Sequence, residues 1–201
     1  MRTIFYLGVM AFRLSDMEFF TDPKGKVNIA KEGSPIQEYQ ISGATNIAFT
    51  TAFLEYIQEC YTEAYRALSE TYQASRLNSL LFNFKIVSRF IRCNFGRYDL
   101  EKKDIDVSGN FHFEEVPCPL RATGDCPLDG IVCKPKFNTS LSEREMEVLR
   151  LIVMGNTAEE IAAMLYRSAH TINNHRKNIL VKTGERDIAG LVHYWHLHGL
   201  K

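Results

Sequence analysis

The chain has 201 residues, of which 45% are hydrophobic, and its 24 Lys and Arg balance 24 Asp and Glu. That composition supports folded domains and excludes both a disordered chain and a histone-like nonspecific binder, so any basic chemistry must be local. No apolar run approaches the roughly 20 residues of a membrane span, no membrane association is expected, and a cytoplasmic location is.

Residues 1–45 carry turn signals more than elements. Ile4–Phe12 is apolar but has only nine residues and no small-residue cleavage site, so it reads as a buried strand or helix segment, not a signal peptide. Asp22-Pro23-Lys24-Gly25 and Glu32-Gly33-Ser34-Pro35 mark loops. From Thr45 or Asn46 as cap, a helical pattern runs to about Leu77. Phe49, Ala52, Phe53, Tyr56, Ile57, Cys60, Ala64 and Leu68 recur at spacings of three and four. Such a stripe serves either a partner helix or a core helix lying on a sheet, and its width and aromatic content favour the core. From Leu80 the composition turns towards strands: Phe82, Phe84 and Ile86 alternate with Asn83 and Lys85. Asp104–Val116 reads as a second hairpin region around Val107-Ser108-Gly109-Asn110. The front of the chain is therefore expected to be α+β, with a helical half followed by a small antiparallel sheet.

Val116–Pro135 concentrates Cys118, Cys126 and Cys133 among Pro and Gly, with Cys93 before them. Five cysteines is an odd number, and in a cytoplasmic protein thiols or metal ligands are expected over disulfides. Four thiolates can enclose a structural zinc or an iron–sulfur cluster. The spacing is not a CxxC pair, and the same residues serve equally as small apolar side chains packed under a sheet, or as redox sensors. Cys60, on the helical stripe, is expected to be a buried, inert thiol.

Lys134–Ser140 is polar and begins beside a proline, which makes it a domain boundary. Beyond it the punctuation is dense. Ser142 with Glu145 fits a capping box, as does Thr157 with Glu160. Gly155 stops the first helix, Tyr166-Arg167 make a turn, Ser168 caps a third helix that Gly184 closes, and Asp187 caps a fourth that Gly199 ends. Met146, Leu149, Leu151, Ile152 and Val153, then Ile161, Ala162 and Leu165, then Ile172, Ile179 and Leu180 supply inward faces. The third helix has no acid from Ala169 to Gly184 and carries His170, Arg176, Lys177 and Lys182. Its outer side presents Thr171, Asn173, Asn174 and Lys177. Two helices joined by a short turn, the second polar and basic outside, make a helix-turn-helix. His175 reads as a structural histidine at the seam. His193, His196 and His198 look like a metal cluster, yet no fourth ligand is evident nearby, and surface residues at that spacing look the same.

Leu141-Ser142-x-Arg144-Glu145-x-Glu147-Val148-Leu149, Gly155-x-Thr157-x-x-Glu160-Ile161-Ala162, Ser168-x-His170-Thr171-Ile172-x-x-His175, Lys182-x-Gly184 and His198-Gly199-Leu200 together resemble the LuxR/GerE-type helix-turn-helix of bacterial transcription regulators. The resemblance covers about 61 of the 201 residues. It implies an all-α four-helix DNA-binding domain at residues 138–201 behind an α+β domain at 1–135 that senses a signal or mediates dimerisation. It implies further that the third helix enters the major groove of double-stranded DNA, with Asn173, Asn174 and Lys177 facing bases and Thr171, Arg176 and Lys182 at or near phosphates. Asn pairs bidentately with adenine, so a half-site containing A·T is expected. The fourth helix commonly carries dimer contacts in this family, so a homodimer on two half-sites is expected, with RNA polymerase as a further partner. Gly190, Trp195 and the three histidines are unusual there.

The resulting expectation is a sequence-specific transcriptional regulator. The alternatives are a metal- or redox-switched interaction protein whose front domain is the working part, or a sigma-factor-like promoter module. An enzyme is not expected: no nucleophile–base constellation or phosphate loop is visible, and His112 beside Glu114 is an ordinary strand pair. A phosphorylatable receiver domain is not expected either, because the front of the chain lacks the βαβ repeat.

Overall fold

The computed structural model describes residues 12–96, 98, 102–107 and 109–200, so most of the Ile4–Phe12 segment lies outside the described residues. The chain divides into two compact units, Met1–Lys136 and Phe137–Lys201.

The first unit opens on a sheet. Strands β1 (Met17–Thr21), β2 (Val27–Lys31) and β3 (Gln37–Glu38) are antiparallel and neighbours in that order. The Asp22–Gly25 signal is the β1–β2 hairpin turn, where the Asp22 carboxylate accepts from the Lys24 and Lys26 amides at 2.9 Å. Helix α1 (Ala44–Cys60) follows, then α2 (Thr62–Thr71), a 3₁₀ turn at Gln73–Ser75 and α3 (Ser79–Asn94). The sheet therefore precedes the helices, the reverse of the expected order. The first helix begins behind Gly43, at φ 99°, without a side-chain cap. Neither Thr45 nor Asn46 caps it, and the Asn46 amide instead donates to the Ser42 carbonyl.

The segment expected as strands from Leu80 is helix α3. Asn78 caps it by accepting from the Leu81 amide at 3.1 Å. The reason lies in spacing. Phe82, Ile86, Val87, Phe90 and Ile91 are all buried, a helical i, i+4, i+5, i+8, i+9 series. Phe84 stays half-buried against Tyr39, with ring centroids 4.8 Å apart. β-Branched and aromatic residues favour strands only through what they pack against, and here the helical face has the larger apolar partner. Asp104–Phe111 keeps one bridge to β1, through Met17 and Ile105, and a tight return at Asp106–Asn110.

Aromatic rings make the core of this unit. Phe19 of β1 sits 5.9 Å from Phe49, 6.0 Å from Phe53 and 5.4 Å from Phe95, so the stripe on α1 is a core face. Asp104, buried beside it, accepts from the Phe19 amide at 2.6 Å.

The second unit holds α5 (Glu143–Val153), α6 (Ala158–Met164), α7 (Ala169–Thr183) and α8 (Ile188–Leu197); a short helix, α4 (Pro119–Thr123), lies before it in the first unit. Val148, Leu149, Ile152, Ile161, Ile172, Ile179, Leu191 and Trp195 form one apolar core. Among the described residues no helix is long and apolar enough to cross a membrane.

Candidate nucleic-acid interface

The positions that matter are set by how four helix ends are tied. Both capping boxes form. The Glu145 carboxylate accepts from the Ser142 amide at 2.8 Å, and the Glu160 carboxylate from the Thr157 amide at 2.7 Å. At the other end of α5, Gly155 stands at φ 88° and the Asn156 amide donates to the Leu151 carbonyl at 3.1 Å. The same wrap ends α6, where the Arg167 amide reaches the Ala162 carbonyl at 2.9 Å. There the left-handed residue is Tyr166, at φ 52° and fully exposed, in the place a glycine normally takes. Ser168 then caps α7 by accepting from the Thr171 amide at 3.1 Å. Only three residues separate α6 and its C-cap from the start of α7, and that tight return fixes the turn.

Two side chains of α5 hold this pair in place. Arg144 donates to the Leu165 carbonyl at 3.2 Å, at the frayed end of α6, and pairs with Glu147 on its own helix. Glu145, although only 4% exposed, keeps its charge. Burial alone would raise its pKa, but hydrogen bonds from the Lys182 ammonium at 2.6 Å and from the Ser142 amide and hydroxyl outweigh that, and the net shift is downward.

Against that frame α7 turns Ile172 and Ile179 fully inward. Asn173, Asn174, Lys177 and Asn178 are exposed on the opposite side. Thr171 and Arg176 are half-buried at its rim, and His175 is half-buried at the seam. Asn174 contacts the His170 ring at 3.2 Å. Lys182 lies apart from the others in its chemistry, because its ammonium is committed to Glu145. With 15 residues α7 spans roughly 22 Å. Its outer face offers amide groups that both donate and accept, one free-standing ammonium at Lys177, and no carboxylate. That is a surface able to pair with base edges in a groove lined by phosphates.

The unusual residues of α8 also have places. Trp195 is in the core. Gly190 lets the Glu185 side chain cross it: an added Cβ would meet a Glu185 carboxylate oxygen at 2.5 Å. His198 stacks on Phe137 at 3.7 Å, and burial, helped by nearby His193, lowers its pKa to about 4. His193 and His196 are exposed.

In the first unit, Cys93 lies near Cys133, Arg121 lies near Cys133, and Arg89 donates to the Cys126 sulfur at 3.8 Å. Among the described residues no three His, Cys, Asp or Glu side chains stand together as a metal-ligand group, and Cys60 lies on α1 with burial raising its pKa to about 11. His112 pairs with Asp106 at 3.1 Å and not with a strand partner. Sequence reasoning missed the two arginines near these cysteines, and it missed Arg144 and Glu145 as the ties of the DNA-facing unit beyond their place in the motif.

A tight two-helix unit with a second helix polar, acid-free and exposed on its outer face defines the helix-turn-helix class of DNA-binding domains. More particularly, residues 139–195 match the family described as "Bacterial regulatory proteins, luxR family", and this region is a LuxR-type domain. Over 61 residues the chain is 38% identical to a putative transcriptional regulator of Pseudomonas aeruginosa, covering 30% of each protein. It is 40% identical over 55 residues to the transcriptional regulatory protein TdiR of Thauera aromatica, covering 27% of this chain and 24% of that one. It is 44% identical over 54 residues to the regulatory protein SdiA of Escherichia coli, covering 27% and 22%. The chain thus spans about a third or less of the length of these curated relatives, and the likeness lies in the DNA-binding part. The family is one of regulators, not enzymes, and the sigma-factor-like and switched-interaction alternatives find no support in it.

Proposed function

We propose that this protein is a bacterial sequence-specific DNA-binding transcription regulator, with α7 as the helix that enters the major groove. The observation that carries the reading is the exposed, acid-free face of Asn173, Asn174 and Lys177, held opposite the buried Ile172 and Ile179 within a LuxR-type domain. Asn173 and Asn174 read base edges, Lys177 faces bases or the phosphates beside them, and Thr171 and Arg176 take positions against the backbone. Lys182 divides its charge between Glu145 and the approach of DNA. The four helices of residues 138–201 act as one reading head, working as a homodimer on two half-sites in the cytoplasm and engaging RNA polymerase when bound.

The first unit, residues 1–135, senses a signal or mediates dimerisation. A small-molecule signal has little room in the hollow lined by Phe12, Met17, Ile29 and Phe49: its volume is about 140 Å³, against roughly 300–1,000 Å³ for sites that enclose a ligand. The test is a selection of random duplexes by the full-length chain beside an Asn174→Ala/Lys177→Ala double variant. Enrichment of a paired half-site motif by the wild type alone supports the reading. A folded chain that enriches nothing, or a double variant that enriches the same motif, overturns the assignment of α7.

A further inference from the structure

Asn173 and Asn174 are neighbours on α7 with different company one turn back. Asn173 has Ala169 four residues before it, a side chain that offers no hydrogen bond. Asn174 has His170 at that spacing, and its amide Nδ2 lies 3.2 Å from the ring Nε2. Thr171, three residues before Asn174, is engaged elsewhere, with its hydroxyl 2.9 Å from the Ser168 hydroxyl at the cap. His170 thus braces one of the two amides and not the other.

The chemistry of this contact has one direction. An amide nitrogen only donates, so Nε2 accepts and the ring proton sits on Nδ1. The Asn174 amide carries two hydrogens, one on the side of its own oxygen and one on the side of Cβ. Adenine is read by the oxygen together with the first: the oxygen accepts from N6 and that N–H donates to N7. A neighbour on the same helix approaches from the Cβ side and takes the second. The reading edge is left whole and its order is fixed, nitrogen towards His170 and oxygen away from it. Turning the amide over would set the Asn174 oxygen against the Nε2 lone pair. Both side chains are exposed, so in the free chain the pair does little for stability. In a groove from which water is displaced, the same bond decides which way the amide faces, because a polar group left there without a partner is costly.

We infer that His170 is a positioning residue for base reading: its ring, accepting at Nε2, holds the Asn174 amide in the orientation that selects adenine. The inference rests on α7 being the helix that enters the groove. Asn173, without such a brace, can turn its amide to suit more than one base. A histidine set against phosphate would use the opposite chemistry, donating from the ring or carrying its charge, and the two roles part on substitution.

The experiment is competition among single-base variants of the duplex selected by the chain, for the wild type, Asn174→Ala, His170→Ala, His170→Gln and His170→Lys. Asn174→Ala locates the base pair that Asn174 reads. At that pair His170→Ala is expected to lower the preference for adenine about three- to tenfold, the worth of one hydrogen bond, and to leave the preferences at other pairs as they were. His170→Gln supplies an amide oxygen that accepts at the same spacing and should restore the preference. His170→Lys can only donate, and should lose the preference while binding every duplex more tightly. Loss in His170→Ala and His170→Lys with recovery in His170→Gln supports the inference. An unchanged preference in His170→Ala, or one kept in His170→Lys, overturns it and leaves reading by Asn174 standing. An even loss at all pairs with a lower unfolding midpoint, not recovered in His170→Gln, assigns His170 to the fold and overturns it too. If Asn174→Ala alters the preference at no pair, the reading of α7 fails and the inference falls with it.

Discussion

The Glu145–Lys182 contact bridges the start of α5 and the last turn of α7, so its removal tests how the reading helix is held. In Glu145→Ala the Ser142 amide loses its acceptor at 2.8 Å, a cap loss of about 1 kcal/mol. The Lys182 bond is lost as well. A hydrogen bond between charged groups is worth about 1.5–3 kcal/mol, but the Lys182 side chain is 39% exposed, and solvent screening brings its share to about 1 kcal/mol. The total is about 2 kcal/mol, or a fall in Tm of about 8–16 °C for a unit of this size. Lys182→Met leaves the carboxylate buried on its Ser142 donors alone and costs about 1–2 kcal/mol. The readout is unfolding of the full-length chain followed by fluorescence of Trp195, the single tryptophan, which lies in the core of this unit. Since the folded state holds the Glu145 pKa below its ordinary value, its stabilisation is complete above about pH 4.3 and fades as pH falls through the lowered value. The gap between wild type and Glu145→Ala should therefore narrow in acid. A double-variant cycle with coupling below about 0.3 kcal/mol would refute the reasoning.

Other outcomes follow from the same geometry. Asn174→Ala should lose about 1–3 kcal/mol of discrimination at one base position, read by competition among single-base variants of the selected site. If Lys177 meets phosphate, Lys177→Ala should weaken all duplexes evenly and reduce the slope of log affinity against log salt by about 1; an unchanged slope with altered base preference assigns it to a base. Tyr166→Gly removes a left-handed non-glycine residue and should stabilise the Trp195-reported transition by about 1 kcal/mol, and a lower midpoint would show that the Tyr166 side chain is needed for the turn. His198 has a folded pKa of about 4 against about 6.5 unfolded. The unfolded chain thus binds more protons between these values, and stability should fall as pH drops through that window. In His198→Gln that slope should flatten, and an equal slope in both proteins would place the titration elsewhere.

Legibility in the sequence followed the density of local signals. From Ser142 onwards most helix ends are marked by a residue whose own chemistry suits it: a capping hydroxyl or carboxylate at Ser142, Thr157, Ser168 and Asp187, and a glycine at positive φ at Gly155, Gly184 and Gly199. Those signals act within one turn of backbone, so reading them needs no tertiary knowledge. The first unit lacks them. Gly43 begins α1 without a cap, and α1 and α2 break at Tyr61 with no proline or glycine to announce it. The alternation at Phe82–Ile86 was a strand signal that a longer helical series overrode. In β1 the adjacent Phe19 and Phe20 break the apolar–polar alternation by which that strand would have been found. The cysteines were visible as residues, but Arg89 meets Cys126 only through the approach of α3 to a distant loop.

The support of α7 and its reading surface are made from different residues. Caps, ion pair and core come from Ser168, Lys182, Ile172 and Ile179, while Asn173, Lys177 and Asn178 are exposed and take no part in that support. Substitutions at such exposed positions usually move stability by no more than about 0.5 kcal/mol. The vocabulary of the helix can therefore drift, one letter at a time, without the scaffold paying attention. A lineage carrying this domain is free to change which operators it answers to while inheriting the same fold, and the exposed positions 173, 174, 177 and 178 are where such divergence should be written.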